Sequence, residues 1–208
     1  MVMREERRQE TRERLLQAAA RAFARRGYSN CTVADISREA GMSQGALYVH
    51  FRDKEELFLT MIAREHGQGA DKAREALAKA PYLQGIFSIL ESCIRDVGFP
   101  VDHALWTDIL AVAARDEAVR KAFMESDALM RAVFCELLHK AAAAGEIASD
   151  LDIEAVALWL YALVDGLIAR TAIDADFNFA RFAPVFVRLV RNALRPAVPA
   201  GADESPAR

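Results

Sequence analysis

The sequence predicts an all-α protein, and three features of it carry the prediction. Gly and Pro number only ten and six in 208 residues, so a helix has few places where it must stop. Ala, Leu, Arg and Glu recur throughout, and such residues lose little on entering a helix. Apolar positions return at three- and four-residue spacing, with Ser, Thr or Asp just ahead of several of the runs. A hydrophobic share of 53% is ample for a packed interior, and 27% charged residues keep the outside hydrated. About nine helices are expected, a small N-terminal group of three and a larger C-terminal bundle.

The first helix is expected from about Gln9 to Arg26, with Leu15, Ala19, Ala22 and Phe23 on one face and Gly27 at its left-handed C-terminal stop. Thr32-Val33-Ala34-Asp35 is a capping box, opening a short helix that turns Val33, Ile36 and Ala40 inward. Gly41 supplies a tight turn, and Ser43 caps a third helix with Leu47 and Phe51 on its buried side. Asp53-Lys54-Glu55-Glu56 starts a long fourth helix. Five more helices are expected over residues 81–97, 102–114, 117–144, 152–173 and 178–194, with breaks at Gly98-Phe99-Pro100 and Gly145-Glu146-Ile147. Pro184 predicts a kink or a later start for the last of them. The tail, 196–208, holds three of the six prolines and little apolar content, which predicts disorder.

Residues 1–14 are charged and lack the apolar stretch of a secretory signal. The most apolar run, 155–164, is about half the length that crosses a bilayer. A cytoplasmic protein with no membrane partner is therefore expected. Cys31, Cys93 and Cys135 are odd in number and widely spaced, which disfavours a disulfide framework. Charge is uneven along the chain. Residues 1–57 carry eleven Lys and Arg against nine Asp and Glu, and the remainder carries sixteen against twenty-one. A basic end on an acidic body suits a nucleic-acid-facing unit attached to something else.

The informative stretch is Thr32 to Leu57, TVADISREAGMSQGALYVHFRDKEEL. Two short helices joined at Ala40-Gly41-Met42-Ser43 make a helix-turn-helix, whose second helix can enter a major groove. The whole segment, including Leu-Tyr-x-His-Phe-x-x-Lys-Glu-x-Leu from Leu47 to Leu57, resembles the DNA-binding domain of the tetracycline-repressor (TetR/AcrR) family. The likeness is strong over about residues 9–60 and looser beyond, where length, helical character and an apolar C-terminal pair of helices still match. It implies a helix-turn-helix domain over 1–56 and a helical regulatory and dimerisation domain over 57–195.

By that resemblance Thr32 caps the second helix and touches phosphate, and Ser43, Gln44, Gly45 and Ala46 open the recognition helix. Tyr48, His50 and Lys54 stand where the family contacts phosphates. Gln44 is the candidate base reader, because its amide can pair bidentately with adenine. Arg4, Arg7, Arg8 and Arg12 are open to two readings, an arm reaching DNA or a solvated helix face. The implied function is a one-component transcriptional repressor that binds a palindromic operator in double-stranded DNA as a C2 homodimer and is released by a small effector.

The family's effector site lies in the C-terminal bundle. Candidates there are Phe87, Cys93, Trp106, Phe123, Met130, Phe134 and Trp159, which read either as core or as the lining of a site for an apolar or aromatic effector, with Asp165 open to a structural role or to contact with a cationic or hydrogen-bonding ligand. Gly67 and Gly69 weaken the fourth helix, so it either hinges or ends and restarts there. Cys135 and His139 have a spacing that can ligate a metal, yet no third ligand accompanies them; neither a metal nor a cofactor is expected. No Gly-x-Gly-x-x-Gly, P-loop, His-Glu-x-x-His or nucleophile elbow is present, so no enzymatic activity is expected. The competing reading is an apolar-ligand carrier or interaction bundle whose DNA-binding motif is no longer specific.

Overall fold

The computed structural model describes residues 2–95 and 101–196. Among these there are nine helices and no strand element: α1 (Val2–Arg26), α2 (Val33–Ala40), α3 (Gln44–Tyr48), α4 (Lys54–Leu77), α5 (Tyr82–Arg95), α6 (His103–Ala113), α7 (Glu117–Ala143), α8 (Ile153–Ile173) and α9 (Phe179–Leu194). The break expected at Gly98-Phe99-Pro100 and the tail beyond Pro196 lie outside the described residues.

Side-chain caps set where most helices start. Thr32 Oγ1 accepts from the Asp35 amide while the Asp35 carboxylate takes the Thr32 amide and hydroxyl, so the capping box is closed. Ser43, Asp53, Asp102, Asp116 and Asp152 each accept the amide three residues on. Gly27 and Gly41 take positive φ, 73° and 65°, and close α1 and α2 as left-handed residues that a side chain would strain. α5 lacks a local side-chain cap; Glu146, from the turn after α7, reaches its first amides at Tyr82 and Leu83.

One helix boundary differs markedly from the sequence expectation. α1 starts at Val2 rather than Gln9, because residues 3–10 are good helix formers that stay exposed and so leave no apolar periodicity to read. α9 starts at Phe179, within one residue of the expected 178, and continues through Pro184, so the later start is not taken. The expected domain boundary at 56/57 falls inside α4. This helix runs unbroken through Gly67 and Gly69, so it does not end and restart there.

The N-terminal head is closed around Leu15, Phe23, Ile36, Leu47, Phe51, Leu57 and Phe58, all essentially inaccessible. Phe58 meets Phe23 edge-on at 5.5 Å and stacks on Tyr28 at 4.1 Å, which seats the first turns of α4 in the head's own core. The rest of α4 runs along α7, and α6 lies against α8, forming the body. Head and body are tied by Glu13 of α1 with Arg64 of α4, and by the Tyr28 amide donating to Asp108 of α6 at 2.8 Å.

Candidate functional site

α3 is only five residues long and is held by Leu47, which is fully buried. Its other side faces out. Ser43, Gln44, Gly45 and Tyr48 are exposed, Ala46 is half-buried, and Val49 just beyond is 72% exposed. Thr32, at the start of α2, is exposed too, and the hydrogen bonds it gives Asp35 hold that carboxyl down at about 2. The geometry therefore gathers Thr32, Ser43, Gln44, Gly45 and Tyr48 as accessible groups on the head. Val49, which the sequence did not single out, is exposed beside them.

His50 and Lys54 are placed differently. His50 is half-buried, and its Nδ1 has no hydrogen-bond partner among the described residues. Its carbonyl accepts from Arg12, whose guanidinium lies 4.1 Å from the centre of the Phe51 ring. Arg12 is thus packed onto the turn after α3, while Arg4, Arg7 and Arg8 remain exposed on the first turns of α1. The Lys54 ammonium donates to the carbonyls of Tyr28, Cys31 and Ser29 at 2.8, 2.9 and 3.4 Å and sits 4.5 Å over the Tyr28 ring. All three of its donors meet the α1–α2 loop.

The body holds a cavity of about 320 Å³ walled by α4, α5, α6, α7 and α8. Six of the eight sequence candidates line it: Cys93, Trp106, Phe123, Met130, Phe134 and Asp165. Two do not, and these are corrections. Phe87 is buried on the side of α5 that faces α9, with Arg191 5.3 Å from its ring centre. Trp159 is 45% exposed, one residue off the stripe of α8 (Leu158, Tyr161, Ala162, Asp165) that faces the cavity.

Several polar groups within this apolar wall were not singled out from the sequence. His66 is 2% exposed, shares a 2.7 Å hydrogen bond between its Nδ1 and Ser126 Oγ, and stands edge-on to Trp106 and Phe123. Burial depresses its pKa to about 4, so the ring is neutral at ordinary pH. Trp106 Nε1 donates to Asp165 at 2.9 Å. Burial raises the pKa of both Asp127 and Asp165, and Asp127 adds to the shift at Asp165 through like charge. Tyr161 places its hydroxyl in the wall, buried and without a partner among the described residues, and burial pushes that phenol up as well. A signal for Asp127 existed: it occupies the same three-and-four-residue stripe of α7 as Phe123, Met130 and Phe134.

α8 is long and apolar enough by length and composition to cross a membrane, more so than the run read from sequence. Asp165 in its middle, bonded to Trp106, marks it instead as a helix packed against α6. Trp159 and Ile173 of α8, with Phe182, Val185 and Leu189 of α9, are large apolar side chains left at least 41% exposed.

Comparison with known proteins agrees with this geometry. Residues 15–61 match the family described as bacterial regulatory proteins, tetR family, and residues 87–195 match the C-terminal domain of the BetI-type transcriptional repressors. The chain is similar to the HTH-type transcriptional repressor AcnR of Corynebacterium diphtheriae, 30% identical over 186 residues that cover 88% of this chain and 92% of that one. It is likewise 30% identical over 186 residues to the HTH-type transcriptional regulator TtgR of Pseudomonas putida, covering 81% and 83%. Among solved structures, Salmonella enterica GusR superposes with a TM-score of 0.75 at 26% identity, covering 89% of this chain and 95% of that one.

Proposed function

Because this chain belongs to the TetR family and is a helix-turn-helix transcriptional regulator, we propose that it is a cytoplasmic repressor, released from a palindromic operator by a small molecule bound in its body. The observation that carries the reading is α4. One unbroken helix of 24 residues has its first turns in the core of the head and places Glu65, His66 and Gly69 in the cavity wall. Occupancy of the cavity and the attitude of α3 are therefore mechanically connected.

In this reading Gln44 reads bases, with Gly45, Ala46 and Val49 packing closely against them, since a side chain of Val's type suits a thymine methyl. Thr32, Ser43, Tyr48 and His50 take phosphate or backbone contacts. Lys54 holds the α1–α2 loop against α4, a task compatible with a nearby phosphate only if the ammonium gives up one carbonyl. The exposed apolar face of α8 and α9 is assigned to a second copy of the chain, which gives a C2 homodimer with two heads. Operator half-sites then lie about 34–36 Å apart, so a small change in head separation loses contacts on both sides. The 1–56 and 57–195 division is retained as a functional one, with α4 shared between the halves.

Selection of bound sequences from random duplex DNA, with full-length protein at near-physiological salt, tests the proposal. A palindrome should be enriched. Folded protein that enriches nothing would favour the carrier reading instead.

A further inference from the structure

We propose that the body cavity takes a compact aromatic or apolar molecule bearing one positive charge, held between Asp127 of α7 and Asp165 of α8. The inference rests on the reading of this cavity as the effector site and adds the chemical class of the effector.

The wall is mostly hydrocarbon and ring, supplied by Ile89, Leu90, Trp106, Phe123, Phe134 and Ile168 among others. Among the described residues that line it are three carboxylic acids, Glu65, Asp127 and Asp165, and no Lys or Arg. Asp127 is 8% exposed and pairs with Arg131 at 3.7 Å, which also lies 4.0 Å from Glu154 and so is shared. Asp165 is held by the Trp106 indole N–H, a neutral donor. His66 contributes no charge, being neutral. The Tyr161 hydroxyl, without a partner among the described residues, and the faces of Trp106 and Phe123 complete a surrounding suited to a cation.

Two carboxylates that feel each other inside an apolar enclosure are costly as a charged pair. They are relieved either by taking up protons or by a positive ligand. An anion of the same shape meets like charge in a medium that screens poorly, and a hydrocarbon leaves the pair as it was.

The test compares three molecules of nearly equal shape on the full-length protein near neutral pH: 1-methylquinolinium, its neutral isostere 1-methylnaphthalene, and 1-naphthoate. Isothermal titration calorimetry should give the cation an affinity at least about tenfold above the hydrocarbon, with the anion weakest. Asp127→Asn combined with Asp165→Asn should abolish that preference while leaving the hydrocarbon's affinity within about twofold. Equal or tighter binding of hydrocarbon or anion, undetectable binding of the cation, or a preference that survives in the double variant overturns the proposal; the first two outcomes need no variant to fold. Operator release measured in parallel separates this failure from that of the functional reading. Release by the hydrocarbon alone keeps the effector site and sinks the cation. Tight binding of the cation without release does the reverse.

Discussion

The head and the body both place polar groups against apolar ones, but they do so in opposite ways. In the head, helices of eight and five residues are fixed by caps and by single anchors such as Ile36 and Leu47, and apart from the buried Ser37 their polar side chains reach water. In the body, long helices enclose His66, Asp127, Tyr161 and Asp165 within a mostly apolar wall, and burial displaces the titration of every one of them. The head is built to present chemistry to a large, hydrated partner. The body is built to withhold chemistry from water until something small displaces it.

The sharpest way to break this contrast is Phe58→Ala. Phe58 is shared by the head's aromatic cluster and α4, so its loss should cost about 3–5 kcal/mol of stability and remove DNA binding with it. Chemical denaturation of the variant would show a wrong assignment as an unchanged midpoint.

His66 comes next. Its pKa lies at about 4 in the native state against an ordinary 6.5. Between those values the unfolded chain holds a proton that the native ring does not, so stability falls as pH drops from 6.5 towards 4, by about 3 kcal/mol in full. Asp127 and Asp165 act the other way: raised in the native state, they cost stability as pH rises past the ordinary carboxylate range. Melting temperature against pH for the protein and for His66→Gln should diverge below pH 6.5, and parallel curves would discard the linkage.

Gln44→Ala should alter base preference at one position per half-site, a change of about 1–3 kcal/mol, with stability unaffected because the side chain is exposed. An unaltered selection profile removes it as a reader. Lys54→Met divides two roles. As a loop clamp it should lower stability by roughly 1 kcal/mol and leave the salt dependence of DNA binding alone. As a phosphate contact it should reduce that slope by about one unit. Smallest of all, Asp165→Asn keeps an oxygen for Trp106 and removes a buried charge. It should raise the ligand-free melting temperature at neutral pH, by about 2–4 °C for each kcal/mol relieved; a fall would show that the carboxylate is satisfied as it stands.

The same contrast explains what the sequence made legible. Caps and turns act over three or four residues, so Thr32, Gly41, Ser43 and Asp53 could be read directly, and the body helices followed from breaks and periodicity to within about two residues. The cavity is a property of five helices meeting, and sequence offers only which stripe of each is apolar. Reading aromatic and sulfur-bearing residues as its lining found six members and misassigned Phe87 and Trp159, whose stripes face α9 and the outside. His66 escaped because a polar residue amid apolar ones looks like a solvated position until the neighbouring helices are in place, whereas Asp127 shares the stripe of Phe123, Met130 and Phe134 and was passed over for its polarity. The clamp formed by Lys54 spans more than twenty residues of chain and had no local sign at all.

Gly69 carries a further consequence. A Cβ built there would come within 2.6 Å of the Met130 sulfur, so the thioether occupies the slot that a side chain on α4 would need. Methionine has several rotatable bonds and yields readily. Exchanges between these two positions can therefore recut the floor of the chamber while leaving the acids at Asp127 and Asp165 untouched. Descendants of this protein have in that pair an adjustable gauge, by which the size of an accepted molecule can drift independently of its charge.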